Sequence, residues 1–208
     1  MSLHLRTDDL RRAIALVLTL VSCTAARSPV APHTAESVVR ELYAYVIRHQ
    51  PIGIPQGDTR NALRPLMSER LRNRLETAAA CEADYFRQYT KSDEKPIFGW
   101  LEHGLFSGGS ERAIPAEMTI VSTKPATAGR QQVTIRLTYR DTFETYGRPP
   151  DPANTFHWEV DVLVDCPGRS CVVDDVVEID DTGKRLRPLS EGFESCDGRR
   201  WVGYPAEP

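Results

Sequence analysis

The chain has 208 residues, 40% apolar and 26% charged, a balance that suits a folded core and excludes a disordered polyelectrolyte. Its net charge of −3 comes without a basic stripe, which argues against nucleic acid as a partner. Beyond residue 23 no apolar run approaches the roughly 20 residues that a spanning helix needs, so any membrane attachment has to come from elsewhere.

The first elements are an address rather than a fold. Arg6, Arg11 and Arg12 precede the unbroken apolar run from Ala13 to Val21, the layout of a secretory signal. That run ends in Leu20-Val21-Ser22-Cys23, which resembles the lipobox of bacterial lipoproteins, whose cysteine is acylated on sulfur and becomes the new amino terminus. The resemblance implies a lipoprotein signal peptide over 1–22 and lipidation at Cys23. The alternative is an ordinary cleaved signal, with "TAAR" supplying the small residues. A triacylated, palmitate-type anchor would be stable, because each buried methylene contributes about 0.8 kcal/mol and more than one chain is needed. Thr24 is not the aspartate that resembles an inner-membrane retention signal, so the implied destination is the outer membrane, facing the periplasm. Loss of the leader makes the remainder one unit more negative.

Residues 23–34 hold small residues and prolines without periodicity and read as a flexible tether. Residues 35–208 are then long enough for a single domain. Within it, "TAESVVRELYAYVIRHQ" places Val38, Val39, Leu42, Tyr43 and Val46 at helical spacing behind Thr34 as a cap. After the turn-rich "PIGIPQGD", a second helix capped by Ser68 carries Leu71, Leu75, Ala78, Cys81 and Tyr85 on one side. Its arginines form a solvated face or a docking strip for an acidic partner. The stretch "KPIFGWLEHGLFSGGSERAIPAE" has no period and is expected to lay Phe98, Trp100, Leu101 and Phe106 over a core.

The period then changes to two. "AEMTIVSTKP", "RQQVTIRLTYRDTF", "NTFHWEVDVLVDC" and "CVVDDVVEID" predict four antiparallel strands, and "LSEGFESC" a short closing helix. The expected fold class is α+β, with N-terminal helices on a curved antiparallel sheet of about four strands and a short C-terminal helix. Two valine-rich runs flank Pro-Gly-Arg-Ser with a cysteine at each end, which pairs Cys166 with Cys171 across a hairpin. Cys81 and Cys196 are left for each other, as an oxidising compartment allows. The five histidines (His4, His33, His49, His103 and His157) are scattered, so neither a metal nor another cofactor is expected.

Taken together, "ELYAYV", "PLMSERLRNRL", the aromatic middle, "CVVDDVVEID" and "LSEGF" resemble a bacterial envelope family known as domain of unknown function 3828. That resemblance implies the nuclear transport factor 2-like, cone-shaped fold and carries no catalytic signature.

Counting outward from a Cys166–Cys171 pair sets Val164 beside Val173, Val162 beside Asp175, Val160 beside Val177 and Trp158 beside Ile179. Asp175 then lies on an otherwise apolar face, near Tyr139, Trp158 and Trp100. A buried lone carboxylate must find donors or shift its pKa. It is either a pocket acid, resembling the aspartate base of ketosteroid isomerase, or a structural aspartate satisfied by hydrogen bonds. Asp174 falls on the opposite face with His157, Glu159 and Asp161, expected to be solvated, and His157 faces Asp180. No residue is assigned as catalytic. The leading expectation is a non-enzymatic, lipid-anchored envelope protein that binds another envelope protein. The alternatives are a small-ligand or proton-transfer pocket inside the cone, and an immunity protein against a periplasmic toxin.

Overall fold

A computed structural model describes residues 32–88, 104–107, 114–141, 149, 151, 153–180, 182–191 and 196–202. The signal peptide, Cys23 and most of the tether lie outside the described residues, as do Phe98, Trp100 and Leu101 of the aromatic stretch.

Helix α1 (Ala35–His49) begins where Thr34 and Ser37 cap each other reciprocally, Ser37 N donating to Thr34 Oγ1 at 3.1 Å and Thr34 N to Ser37 Oγ at 2.7 Å. Its buried residues Val38, Val39, Leu42, Tyr43 and Val46 are those of the helical period in the sequence. The helix stops at Gln50, which takes the left-handed conformation (φ 46°) just before Pro51. Even the last two residues of the expected tether are held: His33 O accepts from Cys171 N at 2.9 Å, and Ser170 Oγ accepts from His33 N at 3.1 Å.

The turn-rich stretch contains a short helix that the sequence reading missed, α2 (Gly57–Leu63), followed by a 3-10 turn over Arg64–Leu66. Its composition hides it, because it opens on Gly57 and buries only Leu63. Helix α3 (Glu69–Gln88) follows and is capped by Ser68, whose Oγ accepts from Leu71 N at 3.0 Å.

A five-stranded antiparallel sheet in chain order follows: β1 (Glu117–Pro125), β2 (Gln131–Arg140), β3 (Thr155–Asp165), β4 (Val172–Ile179) and β5 (Arg185–Pro188). The expected sheet of about four strands thus gains one. β5 is four residues long, and its Arg-Leu-Arg-Pro carries no apolar alternation that would announce it. Nor does the expected C-terminal helix form over the described residues. Leu189–Glu191 make a single 3-10 turn, and Cys196 sits in a two-residue strand, β6 (Cys196–Asp197), paired with β7 (Arg200–Trp201). Gly198 at φ 56° makes that tight hairpin, a conformation that costs glycine nothing and that ends a helix.

One face of the sheet carries Val133, Ile135, Leu137, Val160, Val162, Val164, Val173 and Val176, and α1 packs on it. Phe106 is buried in the same cluster, and its carbonyl accepts from the Tyr43 hydroxyl at 2.7 Å. That hydroxyl has its pKa pushed up by burial, so it stays a donor.

Both disulfides are closed with the partners that the hairpin argument assigned. Cys166–Cys171 ties the ends of β3 and β4 with Cα atoms 4.0 Å apart. Cys81–Cys196 clips the β6–β7 hairpin to α3, where Trp201 meets the Tyr85 ring edge-on at 5.2 Å and its backbone N–H donates to Asp84 at 3.0 Å.

The two bridges close loops of very different length, 115 and 5 residues apart in sequence. Loop-closure entropy gives about 5 kcal/mol for the long one and about 2 kcal/mol for the short one. Urea unfolding of the Cys81→Ser/Cys196→Ser pair should therefore show the larger loss of stability, and a larger loss from Cys166→Ser/Cys171→Ser would contradict it.

Candidate functional site

The register of the β3–β4 hairpin decides what the acidic residues can do. It begins as the sequence reading expects, with Val164 opposite Val173, and then shifts: Leu163 faces Asp175, Val162 faces Val176, Val160 faces Glu178 and Glu159 faces Ile179. Asp174 is the extra residue of a β-bulge. The expected pairs Val162–Asp175, Val160–Val177 and Trp158–Ile179 are all displaced by one. The physical reason is the "VVDDVV" pattern, because Val173 and Val176 are three apart and both reach the core only if one residue is inserted between them.

The bulge turns Asp175 onto the face of Leu163, away from Val162 and Val164. Tyr139 and Trp158 do not share that face. Tyr139 stacks on Phe156 at 4.8 Å, Phe156 lies 5.7 Å from Trp158, and the Trp158 indole donates to Ser107 O at 2.6 Å. Leu163, the partner of Asp175, is five residues from Trp158 along β3, roughly 16 Å of strand. The constellation of Asp175, Tyr139 and Trp158 is not assembled, and Trp100 is outside the described residues.

Asp174 and Asp175 instead belong to a polar cluster where α3 begins. Both are buried, 6% and 2% exposed. Before α3, Met67 bridges to Val173 and Ser68 N donates to Val173 O at 2.8 Å, so the helix starts on the stretch of β4 that β5 does not cover. Ser68 Oγ donates to Asp174 Oδ1 at 2.7 Å. Arg70, in the first turn of the helix, grips Asp174 with Nε to Oδ1 at 3.0 Å and Nη2 to Oδ2 at 2.9 Å, and reaches Asp175 Oδ2 at 3.0 Å. Arg130 adds a contact of 3.0 Å to Asp174 Oδ2.

Asp175 accepts four hydrogen bonds. Val176 N at 3.0 Å and Ser190 N at 3.1 Å go to Oδ1; Ser190 Oγ at 2.5 Å and Arg70 Nη2 at 3.0 Å go to Oδ2. Four donors fill the acceptor positions of a carboxylate, leaving no lone pair for a proton in transit.

Two more expectations change. Asp161, read as solvated, is 2% exposed and accepts from Thr134 Oγ1 at 2.6 Å and Arg185 Nε at 3.0 Å. The strand β5 that supplies Arg185 was not foreseen. His157 does not meet Asp180. Its Nδ1 lies 2.9 Å from Thr138 Oγ1, while Asp180 Oδ1 closes its own turn on Thr182 and Lys184.

A groove of about 550 Å³ lies between α2 and α3. Its floor is the α3 stripe Ala79, Ala80 and Ala83, with Ile54 and Leu75 beside it. Arg60, Arg64, Arg72 and Arg199 line it, against a single acid among the described residues, Glu76. Arg72 and Glu76 are one turn apart on α3, so they continue the alanine stripe. Of the three arginines of "SERLRNRLE", Arg70 joins the aspartate cluster, Arg72 lines the groove and Arg74 is exposed outside both. A smaller cavity of about 410 Å³ is lined by Arg130 and Arg185, whose charges are already met by Asp174 and Asp161.

Among the described residues no group of acids, histidines and cysteines is placed to hold a metal, and no helix is long and apolar enough to cross a membrane. No family model, no curated protein and no solved structure matches the chain.

Two outcomes follow from the cluster. Asp175→Ala strands the amides of Val176 and Ser190 and should lower unfolding free energy by about 3 kcal/mol, with Asp175→Asn milder because its amide oxygen still accepts from both. Wild-type stability in Asp175→Ala would refute a structural role. Burial by itself raises the pKa of Asp174, but the bonds from Arg70, Ser68 and Arg130 outweigh it and hold it below the ordinary 3.8. A depressed folded pKa gives stability that is complete above the unfolded value and is lost as pH falls through the folded one. Below about pH 4, therefore, the acid limb of a stability–pH curve should be shallower in Asp174→Asn than in the wild type, and identical limbs would deny the linkage.

Proposed function

We propose that this protein is a lipid-anchored, periplasm-facing envelope protein whose folded domain is a non-enzymatic protein-binding module. The observation that carries the second half is the contrast between two acidic and basic sets. Asp175, the pocket acid of the sequence reading, has all its acceptor positions filled by neighbours. The groove arginines Arg60 and Arg199, by contrast, have no carboxylate partner among the described residues. Chemistry at a carboxylate needs a free lone pair; recognition of another protein needs exposed, directional donors, which arginine supplies.

The first half rests on the basic start, the apolar run and Leu20-Val21-Ser22-Cys23. Two disulfides agree with an oxidising compartment such as the periplasm. The order of helices first and antiparallel sheet second agrees with the cone-shaped fold of the family it resembles.

The localisation is checked by fractionating cells that carry the full chain or its Cys23→Ser form. The wild type should sediment with the outer membrane and Cys23→Ser should be soluble, with an unchanged circular dichroism spectrum. A Cys23→Ser protein that still sediments with membrane would remove the lipid anchor from the reading.

A further inference from the structure

We infer that the groove between α2 and α3 is the docking site of that module and takes an acidic, partly apolar peptide segment of a partner protein. This inference rests on the protein-binding reading above and adds the place and chemistry of the contact.

Charge is the first argument. Four guanidinium groups line the groove, and Glu76 is the only acid among its described lining residues. Glu76 is 3.7 Å from Arg64, both half-exposed, a geometry worth little in water. Arg72 donates to Arg64 O at 3.3 Å, which positions its side chain and leaves its charge unmet among the described residues. The chain as a whole is net negative, so this basic cluster runs against the global balance. Carboxylates on a partner would meet planar forks suited to two-point hydrogen bonds.

Shape is the second. Ala79, Ala80 and Ala83 line the groove with small side chains of α3, beside the buried Ile54 and Leu75. Such a trough admits side chains of an extended or helical segment, the mode in which apolar anchors enter and charges sit on the rim. A membrane surface would need a broad convex basic face with projecting apolar residues, the opposite relief.

The third argument is comparison within the molecule. Arg70, Arg130 and Arg185 also border cavities or clusters, and each is bonded to a buried aspartate. Their role is internal, whereas no internal carboxylate is supplied to Arg60, Arg72 or Arg199 among the described residues.

The test uses the full chain in detergent and a fluorescent peptide of alternating Glu and Leu, beside its Gln and Lys counterparts. Anisotropy should show binding of the Glu peptide alone. The Arg60→Glu/Arg199→Glu variant should lose it by at least roughly tenfold, while Arg48→Glu/Arg74→Glu, which makes the same charge change at exposed positions outside the groove, should bind as the wild type does. Equal loss in both variants, or equal binding of the Gln peptide, would overturn the groove as an acid-reading site. Binding to vesicles of anionic phospholipid, abolished by the groove variant and without peptide binding, would overturn it in favour of a lipid surface. In cells, a photo-crosslinking residue at Ala83 should give an adduct with an envelope protein that disappears in the groove variant. An adduct from Phe156 but not from Ala83 would overturn the groove and leave the protein-binding reading standing; no adduct from either position would overturn both.

Discussion

Helix α3, strand β4 and the chain that leaves the sheet are joined at one place, the bulge at Asp174, and the rest of the structure depends on how its two carboxylates are satisfied. An ionised carboxylate taken out of water is costly unless donors replace the lost hydration. Here Ser68 serves two purposes, accepting from the first turn of α3 and donating to Asp174. Arg70 then binds both aspartates with one guanidinium. Ser190 brings the segment after β5 to the same point with its amide and its hydroxyl. A helix start, a strand irregularity and a downstream turn are thus fixed by a shared set of hydrogen bonds. Removing one member leaves a buried carboxylate short of a donor while the rest of the set stays bonded, so the loss is felt across the network.

That arrangement also sets where function can lie. The bulge rotates Asp175 off the apolar face, so the space between α1 and the sheet is lined by valines, leucine and isoleucine, with Phe106 and Tyr43 filling it. Starting α3 at β4 sends the helix past α2, and the trough between them remains open. The Cys81–Cys196 bridge then holds the β6–β7 hairpin, and with it Arg199, at the far end of that trough. The same elements that saturate the aspartates therefore present the arginines.

The parts of the fold legible in the sequence are those governed by local periodicity. α1 has its capping box and a clean apolar stripe, and β1 to β4 alternate well enough to be found within a residue at every end but the last of β2, which stops three residues short of Phe143. Elements with little apolar content were not legible: α2 buries one residue, β5 none, and both are held by what lies beside them. Of the expected closing helix, the described residues are Leu189–Glu191, a 3-10 turn, and Cys196, which sits in the β6–β7 hairpin tied to α3 by its disulfide. The bulge did leave a trace. Two valines on each side of Asp174-Asp175 break strict alternation, a signal of an inserted residue that a straight count from the cysteines passes over.

Sequence alone determined the disulfide partners, the class of fold and the two principal helices, because cysteine spacing and amphipathic periods can be read along the chain without its tertiary contacts. Only the tertiary structure decided the fate of the charged side chains. Asp175 and Asp161 are buried acceptors, Arg70 and Arg185 are their partners, and Arg60, Arg72 and Arg199 face an open groove. Nothing local distinguishes these arginines or these aspartates from one another. Their roles depend on which residues, more than a hundred positions away in the case of Arg70, the register and the helix placement bring within three ångströms.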